Sequence, residues 1–466
     1  MQSAKCKLES KFKVRGVLVT YFALCTFYFL LAPAGAAERS PLVEAAKNSD
    51  RTAVRALIAK GADVNAVEPD GTTALHWASY RDDVESADAM LRAGAKVNSA
   101  NDLGATPLWI ASLNGSAAMV RRLLQAGANP NAALLLGETP VMVASRSGST
   151  EVVEQLLAKG ANVNARAARG QTALMWAVAQ NHPDVVKVLL ARGADVHAKS
   201  DVWSQVMAVP PHGLLEYNRA IPHGGDTALM FAARVGDLDS AKLLVAAGAK
   251  VNDADAWGVS ATVLAAHAGY TDLVEFLLDR GADPNAAAAG FSALHAAIMH
   301  RDEKMVAALL ARGADPNAPL QTWTPTRRSS RDFNFAPELV GATPFWLAAR
   351  FTEPEVMRLL AKHGANPLVV HRADYADLNQ TRQTQVTTAL MAAVGMGGGT
   401  AWVRPDLRTF ETLILEAVKL AVDLGVDLNA ANADGRTALD AATAFHYETV
   451  VKFLVEKGAR PGVKKN

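Results

Sequence analysis

Residues 106–138 read TPLWIASLNGSAAMVRRLLQAGANPNAALLLGE, and this stretch carries the organisation of the whole chain. Thr106 is a residue type that caps helix N-termini. Leu108 and Ala111 recur at helical spacing behind it. Gly115 suits a left-handed helix end. A second apolar run of the form Val-x-x-Leu-Leu (Val120, Leu123, Leu124) reads as a second helix, which Gly127 ends. The stretch therefore predicts two short helices and a turn, a unit too small to bury its own apolar face.

The unit recurs. Gly-Ala pairs followed by Asp, Asn or Lys begin at Gly61, Gly94, Gly127, Gly160 and Gly193, in steps of 33 residues. The series continues at Gly248, Gly281, Gly313 and Gly364. It closes with Gly425 and, 33 residues later, Gly458, whose Ala459 is followed by Arg460. The residues that open the units are Ser40, Thr73, Thr106, Thr139, Thr172, Thr227, Ser260, Ser292, Thr343, Thr388 and Thr437. In ten of these eleven units the glycine falls 21 residues after the opener. Stacking such units makes one continuous core, and they are numbered 1 to 11 below.

Thr106-Pro107-Leu108-Trp109-Ile110-Ala111 resembles the ankyrin motif Thr-Pro-Leu-His-x-Ala, as do the segments starting at Thr73 and Ser292, which keep the histidine as His76 and His295. Gly160-Ala161-Asn162-Val163-Asn164-Ala165 is similar to the segment that closes an ankyrin unit. The resemblance covers roughly residues 40–462. It implies an all-α ankyrin-repeat solenoid of about eleven helix-turn-helix repeats with short β-turn fingers. Elsewhere Val43, Trp109, Met142, Met175, Met230, Val263, Trp346, Met391 and Asp440 replace the motif histidine, which questions the local hydrogen bonding there. Trp77, Trp109, Trp176 and Trp346 read as packing residues, with Trp109 and Trp346 nearest the concave face.

Four steps are too long. They mark insertions near residues 200–224, 319–340, 368–387 and 395–409, of 22, 18, 12 and 16 extra residues. The first three fall where an ankyrin array projects its fingers, so they are expected on one edge, close together. The fourth falls between the two helices of repeat 10. The insertions are rich in the aromatic and arginine residues that anchor interfaces. The candidate partner-binding residues are Trp203, Tyr217, Arg219, Trp323, Arg327, Arg328, Phe333, Phe335, Tyr375 and Trp402, with Trp257 and Leu135 on regular finger tips. The competing reading has the same side chains fold back to shield the array.

The N-terminus carries Lys5, Lys7, Lys11, Lys13 and Arg15, then the apolar run 17–32, Pro33 and Ala34-Gly35-Ala36. This predicts a signal peptide over 1–36 with the repeat domain over 37–466; the alternative is an inner-membrane anchor through residues 17–32, although that run falls short of the ~20 residues that span a bilayer. Both cysteines, Cys6 and Cys25, lie in this segment. Without the segment, 42 basic and 45 acidic residues remain, which argues against nucleic acid as a partner. The Ala, Gly and Arg usage suggests a GC-rich bacterium and hence a periplasmic or secreted protein.

Catalytic and cofactor motifs are not evident. Gly395-Met396-Gly397-Gly398-Gly399 lacks the Gly-Lys-Ser/Thr of a phosphate loop. His212, His223 and His371 are the one conceivable imidazole set for a metal, without fixed spacing. The expectation is a monomeric, non-enzymatic scaffold with no cofactor, binding a protein outside the cytoplasm. The alternatives are a small-ligand or metal sensor built from the insertions, and an auxiliary subunit that stabilises an exported enzyme complex.

Overall fold

A computed structural model describes residues 40–207, 219–324, 335–376, 381–403 and 410–463. The signal-peptide segment and the predicted partner residues Tyr217, Arg327, Arg328 and Phe333, with His212, lie outside these residues. Each repeat forms two antiparallel helices. The first helices run from Pro41–Lys47 in repeat 1 to Ala438–Ala444 in repeat 11, and the second from Arg51–Ala59 to Glu448–Glu456. Opening residues Thr73, Thr106, Thr172, Ser260, Thr343, Thr388 and Thr437 accept the N–H three residues on, as capping requires. Over repeats 1 to 10 the first helices pack more closely on each other than the second helices do. The stack therefore curves with the first helices on its inner side.

One backbone feature runs through all eleven units. The residue nine places after the opener is left-handed whether or not it is glycine. It is Gly at 115, 148, 236, 269 and 397, but Ser49, Asp82, Asn181, Arg301, Thr352 and His446 elsewhere, with φ between 56° and 99°. A non-glycine residue in this region is disfavoured, so packing of the two helices holds the turn.

Where the motif histidine is present it joins neighbours. The Nδ1 of His76 accepts the Thr73 N–H (3.1 Å) and its Nε2–H reaches the Ala105 carbonyl of the next finger (2.9 Å). His295 does the same with Ser292 (3.1 Å) and Ala318 (3.0 Å). Burial lowers both imidazole pKa values, that of His295 to about 4, so both rings are neutral. Among the replacements, one bonds to the next finger and one to the residues that follow the last repeat. The Trp109 indole N–H donates to Glu138 O (3.1 Å), and the Asp440 carboxylate accepts from Thr437 and Gly462 N–H (both 2.8 Å).

An asparagine ladder ties successive loops. Asn131 donates to Gly160 O (2.9 Å) and accepts the Asn162 N–H (2.7 Å), and Asn65, Asn98, Asn252 and Asn285 make the same pair of bonds. The ladder bridges the second insertion, from Asn317 to Gly364 O (2.9 Å). The fold is helical but not purely so. The first insertion is an antiparallel hairpin of β1 (Trp203–Met207) and β2 (Arg219–His223), and the third is one of β3 (His371–Ala376) and β4 (Arg382–Thr387).

Candidate interaction surface

The finger tips are joined edge to edge. Asp102 N–H donates to Asp70 O (2.9 Å), Leu135 to Leu103 O (3.1 Å), Ala168 to Leu136 O (2.7 Å) and Asp201 to Arg169 O (2.7 Å). The row continues from Ala256 to Gly224 O (2.9 Å) and from Gln321 to Gly290 O (2.8 Å). Each tip thus spends its backbone polar groups on its neighbour, which holds the row in place. Tips in the N-terminal half present apolar side chains to solvent: Leu103 is 59% exposed, Leu135 75% and Leu136 67%. Patches of this kind on soluble proteins mark interaction sites.

The first helices of repeats 2, 5 and 6 add aromatic side chains beside this row. Trp77 and Trp176 are half-buried, with their indole N–H groups on Glu68 (2.6 Å) and Gln171 (3.0 Å) and with Lys47 and Arg146 over their faces at 4.7 and 5.0 Å. Tyr80 stands edge-on to Trp77 at 5.9 Å, and Arg234 lies 5.9 Å from Phe231. Of Trp109 and Trp346, expected nearest the concave face, Trp346 is corrected to core because it is fully buried, whereas Trp109 is half-buried with its indole N–H on the next finger. The other half-buried tryptophans of the first helices, Trp77 and Trp176, sit one position later, just after the motif histidine site.

In the C-terminal half the aromatic residues singled out earlier meet, but they face inward. Phe335 is corrected from partner contact to core: it is fully buried, like Leu320 and Leu339 of the same insertion. Its N–H donates to Thr324 Oγ1 (2.8 Å) and its carbonyl accepts the Thr324 N–H (3.1 Å), which closes the base of the loop. Its ring lies 5.2 Å from Phe291 and 5.1 Å from Trp402, and Trp257 stands edge-on to Phe291 at 6.0 Å. Residues 257, 291, 335 and 402 come from four separate loops. Trp203 is half-buried between His223, stacked at 4.5 Å, and the Arg169 guanidinium at 4.5 Å. Arg219 pairs with Met207 at the far end of the same hairpin. Tyr375 in β3 accepts Gln385 Nε2 on its hydroxyl (2.6 Å), and Trp323 is half-buried.

The second and third insertions touch, as expected of loops on one edge. His371 Nε2 reaches Val340 O (3.1 Å), and its ring packs 4.1 Å from Trp346. His223 and His371, two of the three histidines weighed as metal ligands, are on different hairpins and each packs on a tryptophan. Among the described residues, no group of three or more His, Cys, Asp or Glu side chains is placed to hold a metal.

Stacked helix pairs with linked fingers, an inner row of first helices and an apolar tip row define a repeat solenoid. The chain belongs to the ankyrin-repeat family: the model for ankyrin repeats in three copies matches residues 25–101, 42–133, 108–200 and 229–319, and that for many copies matches 415–455. Repeat 9 and the first helix of repeat 10 fall between these segments, yet repeat 9 has the same helix pair and left-handed turn. The ankyrin repeat domain of human ASB11 is 34% identical over 53% of this chain and 100% of that one, with a TM-score of 0.44. No curated protein matches. Ankyrin repeats are in general non-enzymatic modules that mediate protein–protein interaction.

Proposed function

We propose that this protein is an exported, non-catalytic scaffold that holds a protein partner on its N-terminal half. The row of linked, apolar finger tips at Leu103, Leu135 and Leu136 carries this reading. Trp77, Tyr80, Trp176 and Phe231 supply the anchors. Because the tips are hydrogen-bonded to one another before any partner arrives, binding orders little of the scaffold. Phe335 and Trp402 of the C-terminal insertions are used inside the array, so we place the partner surface among repeats 2 to 6.

Cutting out residues 319–340 is a poor test of partner binding, since it removes Leu320, Phe335 and Leu339 from the core. Charge on the tips is the better probe. With the full chain expressed in its envelope, proteins captured by the wild type are expected to drop at least tenfold, on the order of a hot-spot loss, in a Leu135→Asp/Leu136→Asp double variant. Equal capture by the two would remove the tip row from the binding surface. The signal-peptide reading has its own check. N-terminal sequencing of the exported protein is expected to start at Ala37, and a start at Met1 in the membrane fraction would favour the anchor through residues 17–32.

A further inference from the structure

The fourth insertion leaves repeat 10 at Gly397, the left-handed position from which each other repeat enters its second helix. Here the chain instead runs back along the inner side of the array. Arg350 of repeat 9 donates Nε to the Gly397 and Gly398 carbonyls (both 3.2 Å) and Nη2 to that of Gly399 (3.1 Å). The Gly398 N–H donates to Gln385 Oε1 (3.0 Å). Trp402 reaches further, with its backbone N–H on Met299 O of repeat 8 (3.2 Å). Its ring stands 4.8 Å from His267 of repeat 7, 4.9 Å from His300 of repeat 8 and 5.1 Å from Phe335.

The path fits glycine. A β-carbon at Gly397 would lie 3.0 Å from the Trp346 ring, at Gly398 2.5 Å from Glu338 Cβ, and at Gly399 2.5 Å from Leu339 Cδ2. Three successive backbone carbonyls converge on the Arg350 guanidinium, a bend that Gly397 and Gly399 allow by taking φ of 99° and 77°. An aromatic side chain then fills a cage of two imidazoles and a phenyl ring. These are features of peptide recognition: a backbone clamp, a close glycine passage and one aromatic anchor.

We propose that the inner face of repeats 7 to 9 is a binding site for a glycine-bent peptide of the pattern Gly-Gly-Gly-x-x-Trp, and that residues 395–403 occupy it in cis. An outside segment of the same chemistry has to displace this strap. Tethering gives the strap an effective concentration of about 1 mM, so an outside peptide with an intrinsic Kd of about 0.1 mM is weakened roughly tenfold. The site is separate from the tip row proposed above and does not depend on it.

The test uses a fluorophore-labelled peptide of residues 395–403, with anisotropy read against the full chain, a Trp402→Ala variant and a Gly398→Ala variant. The first variant removes the anchor from the strap; the second pushes the strap against Glu338 and leaves the groove unchanged. The peptide is expected to bind both variants up to about tenfold more tightly than the wild type, and the same peptide with Ala for its Trp is expected to bind none. Equal binding to all three proteins, or no binding to variants with wild-type far-UV circular dichroism, would overturn the proposal. Loss of that signal in both variants would also overturn it, because the strap would then be an obligatory part of the fold. Capture through Leu135 and Leu136 is scored separately, so either reading can fail without the other.

Discussion

Replacing Trp346 by Ala is expected to destabilise the C-terminal repeats by about 3–5 kcal/mol, the usual cost of emptying a buried aromatic site. Trp346 is 1% exposed, and it heads the largest fully buried side chains. It occupies the motif-histidine position of repeat 9 and joins three elements there. Its indole N–H donates to Thr387 Oγ1 of β4 (3.2 Å), its ring packs on His371 of β3 (4.1 Å), and Gly397 of the strap passes over it. Truncation therefore opens a cavity and also loosens a hairpin and the strap. A repeat array couples only through neighbours, so the loss should stay local. In urea followed by far-UV circular dichroism, repeats 9 to 11 are expected to melt in an earlier phase, with repeats 1 to 7 near their wild-type midpoint. Trp346→Phe keeps most of the packing and loses the N–H donor, and should cost about 1 kcal/mol. A uniform shift of the whole curve would mean that the array unfolds as one block.

The regular part of this structure was legible because each unit solves the same local problem with the same residue types. An opening Ser or Thr, a glycine 21 residues on and a fixed period are enough to place both helices. The left-handed turn was legible where the residue was Gly115, Gly148, Asn181, Gly236 or Gly269, but not where it was Ser49, Asp82, Arg301, Thr352 or His446. At those sites the demand comes from the packing of two helices and leaves no mark on the residue itself. The exchange of His76 for Trp109 was visible, but its meaning was not: both side chains present an N–H to the carbonyl of the next finger. The insertions were found by subtraction, with their lengths. Their direction was not readable, because the groups that receive Trp402 are His267, His300 and Phe335, which belong to repeats 7 and 8 and to another loop. Aromatic residues in a loop fit a binding role and a shielding role equally well in composition. For Phe335 burial decides, whereas for Leu135 exposure leaves the surface open to a partner.

The stability of the wild type is expected to fall as pH rises from 6.5 to 9, and a Glu353→Gln variant should not share that fall. The second helices of repeats 1, 2, 6 and 8 are capped by Asp50, Asp83, Asp237 and Asp302, each of which accepts the N–H three residues on. Repeat 9 has Glu353 at that place. Its longer side chain makes no cap bond, it is 5% exposed, and its Oε1 has no hydrogen-bond partner among the described residues. Burial pushes its carboxyl pKa up to about 8, against the pull of the Arg301 guanidinium, which donates to the Phe351 and Thr352 carbonyls alongside. The folded pKa is above the unfolded value, so the folded state prefers the proton. The stabilisation is complete below about pH 4.5 and is lost as pH rises through about 8. At 1.36 kcal/mol per unit, the loss between pH 5 and 9 is on the order of 4 kcal/mol. His295 acts at the other end. Its lowered pKa makes its contribution complete above about 6.5 and lost toward about 4, so the interval above pH 6.5 isolates the carboxyl. Urea midpoints of wild type and Glu353→Gln, measured over that interval, should diverge with the variant the more stable at high pH. Parallel curves would show that Glu353 titrates as an ordinary carboxylate. Glu353→Asp completes the set: a shorter side chain that takes up the cap bond of the other repeats should restore a low pKa and flatten the profile at the same time.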